Sequence, residues 1–449
     1  MSGPRGEADT PRPTRLRVLL LIVLAVRPAF AQVDGHASVM FDVLPDVSPQ
    51  TDAQTASELR TRLFVERRDS FGQHLRLNLS GYVDALLADR GVMGDASARD
   101  AILRPGELYL DFVSERFELR GGMSRIVWGR LDEFQPTDVV NPLDLTRFLL
   151  EGRTEARLPV ALVRGRVFLP HSSTLEGVVV PAFRAGRVDQ LDEETAPFNL
   201  LAASGADVHR EEPAFAAANT QGGVRFTSTA GRVDWAMVAY RGFRTFPTLT
   251  VVPTFAPPPL VIETFSRFTM IGGDFETVRG SWGLRGEVAA FVDDELQSTL
   301  LGRGVPGRTL DAGVGADRKA GSYRIAGNVL WSLRRVVSDD DGTGGQGPPT
   351  GGPYGAPSVA IAREELNRSD LNIVLAAERT FARETRSVRV FAVYDPVDRT
   401  TFTRLIAAVS LRDNLWLEGS GGLFSGSADD TLGRLADRDF AYARLKVFF

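Results

Sequence analysis

Segments that alternate apolar and polar side chains with period two recur along the whole of this 449-residue chain. The clearest spans residues 73–87, where Leu75, Leu77, Leu79, Gly81, Val83, Ala85 and Leu87 oppose His74, Arg76, Asn78, Ser80, Tyr82 and Asp84. Only a strand, whose successive side chains point to opposite faces, lets such a pattern keep two environments apart. About eighteen segments read this way: 36–43, 57–67, 73–87, 107–114, 117–126, 157–169, 175–183, 223–229, 233–243, 268–278, 281–293, 308–318, 322–336, 371–381, 387–395, 401–411, 414–424 and 439–449. The chain is therefore expected to be all-β.

The connections narrow the architecture. Short links at 69–72, 115–116, 170–173, 230–232, 279–280, 319–321, 382–385 and 412–413 alternate with long ones near 45–56, 88–106, 127–156, 185–221, 244–264, 294–307, 337–368 and 425–438. One short link, 396–400, falls in a long slot. A soluble sandwich or propeller has no reason for this rhythm, and no sequence repeat of propeller length stands out. Short turns at one rim, long loops at the other and strands of roughly 9–11 residues are the signature of a membrane barrel. The expected fold is a closed antiparallel transmembrane β-barrel of about 18 strands (16–18), with its third long outer loop folded inward.

The two ends agree with that reading. Arg15 and Arg17 precede an apolar run, 18–26, too short to cross a bilayer as a helix, and Ala29-Phe30-Ala31 supplies small residues for cleavage before Gln32. Residues 1–31 are expected to be a signal peptide and 32–449 a single barrel domain. The last segment alternates Ala441, Ala443, Leu445, Val447 and Phe449 against Tyr442, Arg444, Lys446 and Phe448. In this it resembles the closing strand of Gram-negative outer-membrane barrels. That resemblance implies a bacterial outer-membrane location, lipid and lipopolysaccharide as surroundings, and Phe449 with Tyr442 as the signal read by the barrel-assembly machinery.

Several function classes are excluded. There are no cysteines, hence no disulfide, thiolate ligand or cysteine nucleophile. A net charge of −5 argues against nucleic acid as partner. None of the four histidines, His36, His74, His171 and His209, has metal-ligand spacing, so no metal and no other cofactor is expected. His74 and Ser80 share a strand face but stand about 20 Å apart, too far for a catalytic pair, and no enzyme is expected. The run Asp339-Asp340-Asp341 lacks the remaining ligands of a calcium loop.

On strand parity, Arg60, Arg62, Arg76, Arg120, Arg164, Arg166, Arg285, Arg324, Arg334, Arg404, Arg444 and Lys446 face the lumen, with Glu118, Glu287 and Glu418 between them. Such residues either pair across strands and brace the wall or form a basic ladder that draws anionic solutes.

The link 127–156 holds the densest unusual chemistry: Trp128, Arg130, Asp132, Glu133, Asp138, Asn141, Asp144 and Arg147. Pro136 and Pro142 forbid a regular ladder, and Phe134, Val139, Val140, Leu143, Phe148, Leu149 and Leu150 are too apolar for a loop in water. It should pack into the lumen, either as a constriction or gate or as a plug fragment that only stiffens the barrel. An inward third loop is similar to the constriction of porins. Trp128-Gly129 followed by Asn141-Pro142-x-Asp144 resembles a large family of Gram-negative outer-membrane barrels discussed as companions of inner-membrane pumps that export hydrophobic or lipid-like molecules. The resemblance implies a transport role, with an inner-membrane exporter as a partner, and leaves the substrate open. The expected function is an outer-membrane pore or exporter for small anionic or hydrophobic/amphipathic solutes, passive and filtered by the lumen arginines and the link 127–156. The competing reading is a non-conducting structural or adhesive barrel that acts through its outer loops.

Overall fold

The computed structural model describes residues 33–44, 56–89, 97–187, 207–252, 259–337, 359–427, 433–436 and 438–449. The expected leader and the Asp339–341 run lie outside the described residues.

Eighteen strands form one antiparallel sheet. They are β1 (Val33–Leu44), β2 (Ala56–Phe71), β3 (Leu75–Asp89), β4 (Ser97–Val113), β5 (Phe117–Ser124), β6 (Val160–Leu169), β7 (Ser173–Val180), β9 (Gln221–Ala230) and β10 (Val233–Phe243), then β13 (Arg267–Arg279), β14 (Trp282–Ser298), β15 (Arg303–Ala320), β16 (Tyr323–Val336), β17 (Ser369–Phe381), β18 (Arg386–Asp395), β19 (Thr400–Arg412), β20 (Leu415–Ser425) and β21 (Phe440–Phe448). Each pairs with the next, and β21 returns to β1 in a register that sets Val447 beside Ala37 and Arg444 beside Met40. The sheet is thus a closed barrel, which leaves no edge unpaired.

Closure is sealed by a tight fit. Gly35 and Phe449 exchange two backbone hydrogen bonds of 2.9 and 3.0 Å. A Cβ on Gly35 would lie 2.8 Å from the Phe449 ring and 2.5 Å from the Phe64 carbonyl oxygen.

The outward face is an apolar belt. Met237, Ile271 and Leu423 are 64%, 59% and 62% exposed, and Leu103, Val163, Val224, Val314 and Leu375 join them. A continuous belt of this kind is stable only against lipid. The enclosed face is not uniformly polar, as water filling would require. Its half nearest the long loops carries two apolar patches. One comprises Val160, Leu162, Val178, Val238, Phe268, Met270 and Phe291, and the other Met40, Val374, Val393, Phe402, Phe424 and Phe440.

Several long links are shorter or more ordered than expected. The link expected at 294–307 is a tight hairpin, because β14 runs to Ser298 and pairs there with Arg303. Gly302, Gly304, Pro306 and Gly307 carry a loop signal, yet after a bulge between Phe291 and Asp294 the ladder continues through Gly307, Pro306 and Gly304. Likewise β4 starts at Ser97, ten positions before the expected residue 107, after a register shift at Leu79/Gly81. Three further strands, β8 (Asp207–Glu211), β11 (Thr248–Val252) and β12 (Leu260–Thr264), build a small sheet from two long links, with β8 parallel to β12. Among the described residues no helix is long and apolar enough to cross a membrane.

Candidate functional site

The link between β5 and β6 is built outward from its stem. Asn141 ties the stem together: its Oδ1 accepts from the Ile126 amide (2.7 Å), and its Nδ2 donates to the carbonyls of Ser124 (3.2 Å) and Leu158 (2.8 Å). This is the kind of local closure for which a turn-forming side chain is suited. Asp138 accepts from the Trp128 amide (3.3 Å) and from the Arg157 guanidinium. Pro136 and Pro142 end regular structure, and two short helices follow, α1 (Leu145–Glu151) and α2 (Arg153–Ala156). The Asp144 backbone closes this unit, donating to Ala156 (2.8 Å) and accepting from Phe148 (2.9 Å). Arg147 belongs to α1, and its side chain lies outside the described residues.

Beyond the stem, the segment is bonded to widely separated strands. On β7, Glu176 accepts from the Trp128 indole (2.7 Å). On β14, the Glu287 carboxylate accepts from the amides of Arg130, Leu131 (2.6 Å) and Thr137 (3.3 Å) and from the Thr137 hydroxyl (3.0 Å). Gly129 makes this cradle reachable: its φ is +91°, and a Cβ there would sit 2.7 Å from Glu287 Oε2. The Arg130 side chain grips Asp274 (2.6 Å) and Glu276 (2.9 Å) on β13. Burial disfavours its charge, but those two carboxylates more than compensate and hold it above its ordinary range. Asp132 pairs with Arg285 on β14 (3.1 Å) and Glu133 with Arg389 on β18 (2.7 Å).

A third set of anchors holds the end of α1. Arg404 on β19 donates to the Leu149 carbonyl (3.3 Å) and to the Leu150 carbonyl, groups that a helix C-terminus leaves without partners. The Tyr442 hydroxyl accepts from Arg404 (2.7 Å), donates to Glu418 (2.6 Å) and lies 3.1 Å from the Leu150 carbonyl. Tyr442 therefore faces the enclosed side and serves the loop. Apolar packing follows the same division. Trp128 and Val140 lie in the first apolar patch, whereas Leu150, with Phe134 and Leu149 against it, lies in the second.

The wall arginines are matched to carboxylates. Arg60 pairs with Asp42 and Glu58 (2.8 and 2.7 Å), Arg62 with Asp84, Arg120 with Asp111 (2.7 Å) and Arg164 with Glu118. Arg166 reaches Glu176 (2.6 Å), Arg334 reaches Asp370 (3.2 Å) and Arg444 reaches Glu418 (2.9 Å). Arg285 meets Asp317 (2.8 Å) and Glu276 (3.1 Å) as well as Asp132, and Arg324 stands 3.8 Å from Asp317 with half its side chain exposed. Arg76 is exposed opposite Asp111, whose carboxylate is bonded to Arg120. Cross-strand bracing thus describes most of these side chains. The acidic partners Glu176, Asp274, Glu276 and Asp111 are not among the residues singled out from the sequence. The same parity rule places them on the lumen face, and only attention to the arginines alone hides them.

No family model matches the sequence, and no curated protein matches it. Solved structures do resemble the fold. OccAB1 from Acinetobacter baumannii superposes with a TM-score of 0.52 at 7% identity, covering 93% of this chain and 96% of that one. A BenF-like porin from Pseudomonas fluorescens Pf-5 superposes at 0.51 with 11% identity, covering 93% and 97%. The wall shares the closed antiparallel barrel fold of these two solved structures.

Proposed function

We propose that the protein is an outer-membrane channel for small solutes, with the link 127–156 folded into the lumen as its constriction. The observation that carries this is the spread of the link's anchors. It leaves the wall at β5, is bonded to Glu287 on β14 and to Arg404 on β19, and returns at β6. Strands so far apart round the ring are joined most directly across its interior. The anchors leave the link little freedom to swing, so a fixed constriction is favoured over a mobile gate.

The matched charges favour small amphipathic solutes over a strong preference for anions. Guanidinium and carboxylate groups side by side can orient a dipolar solute, and the exposed Arg76 and Arg324 add only a weak basic bias. The test is single-channel recording in planar bilayers. The folded protein is expected to conduct, and a variant lacking residues 130–150 to conduct several-fold more. Silence from both proteins would favour the structural or adhesive reading instead.

A further inference from the structure

The outward face has one sector that the channel does not explain. At the short-turn ends of β13 to β18, Arg279, Arg318, Arg379 and Arg386 all point outward and all are exposed. The register makes them neighbours: Arg279 lies beside Trp282, Trp282 beside Arg318, Tyr323 beside Arg379, and Phe381 beside Arg386. Arg318 lies 5.6 Å from the Trp282 ring centre, and Arg379 lies 4.8 Å from Tyr323 and 4.4 Å from Phe381. Among the described residues none of the four arginines forms an ion pair. Six strands make the sector an arc of about 24 Å.

Carboxylates are kept off this arc. Asp317 and Glu378 occupy the alternate, enclosed positions of β15 and β17, Asp317 being bonded to Arg285, and Glu384 lies in the turn after β17. The other side of the barrel differs. On the far side of this same rim Phe71, Phe112, Phe117 and Leu169 face outward, and Arg67 is held by Asp69 at 2.7 Å. A barrel that needed only an interfacial aromatic ring would have no cause to set outward-facing arginines beside those rings across six strands.

We propose that this arc binds the phosphate headgroups of anionic phospholipids in the periplasmic leaflet. Short turns mark the periplasmic rim, and aromatic rings settle at headgroup depth. A guanidinium already stacked on a ring presents its outer edge to a phosphate, and its planar fork suits two phosphate oxygens at once. Basic side chains at a membrane surface attract anionic lipid additively. The arc is thus a lipid-retaining sector that orients the barrel among its neighbours.

Native mass spectrometry of the intact barrel, released from nanodiscs containing phosphatidylglycerol and phosphatidylethanolamine, tests this. The wild type should retain phosphatidylglycerol preferentially. Arg279→Gln, Arg318→Gln, Arg379→Gln and Arg386→Gln together should cut that retention about tenfold or more, leave phosphatidylethanolamine unchanged, and keep heat-dependent gel mobility as evidence of folding. Arg67→Gln with Arg116→Gln, on the far side of the same rim, should change nothing. In a variant carrying Trp235→Phe and Trp331→Phe, stronger quenching of Trp282 fluorescence by brominated phosphatidylglycerol than by brominated phosphatidylethanolamine reads the same contact without any arginine change. Equal retention of the two lipids by the wild type overturns the proposal, as does a quadruple variant that holds anionic lipid normally.

Discussion

At the scale of single residues, Glu287 carries more of the loop than any other wall side chain. Four donors of the segment, three of them backbone amides, converge on one carboxylate, and none has a second acceptor nearby in the hydrogen bonds described. Leaving a buried donor unsatisfied costs about 1–3 kcal/mol, so Glu287→Ala should release the segment from β14 while the ladder beneath it stays intact. The expected outcome is new trypsin cleavage after Arg130 in the folded barrel. Continued resistance at that bond would show that Arg130 with Asp274 and Glu276 suffices. Gly129 is bound to the same cradle. Its positive φ and the 2.7 Å approach to Glu287 mean that Gly129→Val should reproduce the Glu287→Ala phenotype, read by the same cleavage.

At the scale of elements, α1 has seven residues and could not persist alone in water. It is held by apolar contact with the Phe402, Phe424 and Phe440 rings and by polar caps on its last carbonyls. Phe402 and Phe424 stack with centroids 4.4 Å apart, forming a flat seat for Leu149 and Leu150. Tyr442→Phe keeps the ring and removes the hydroxyl that joins Arg404, Glu418 and the helix end. Open-channel current noise should rise several-fold with heat-dependent gel mobility unchanged; a quiet channel would mean that the aromatic seat alone fixes α1.

At the scale of the whole molecule, the barrel couples an apolar exterior to an interior whose charges cancel locally. Arg76, Arg285 and Arg324 changed together to Ser should leave Asp132, Glu276 and Asp317 short of partners. The lumen then gains net negative charge, and the reversal potential under a salt gradient should move toward cations. An unmoved potential would mean that the solute path runs elsewhere along the wall.

Much of this organisation is legible without coordinates. Period-two alternation located all eighteen wall strands, because in lipid every strand must separate an apolar from an enclosed face along its whole length. The same rule misjudges strand ends, as at β4 and β15, where Pro105, Gly304 and Pro306 resemble loop residues although the ladder passes through them, and Gly106 sits in a bulge within β4. The loop 127–156 stood out by its misplaced apolar residues. Arg285, Arg404 and Glu287 were legible as lumen-facing, but their pairing with the loop was not, since Trp128 and Glu176, or Leu150 and Arg404, are joined only once the ring has closed and brought them together. Alternation is a local property and is written residue by residue. Which arginine meets which carboxylate, and where a loop finds its seat, depends on the curvature and register of a closed sheet, and the tertiary structure alone decided those.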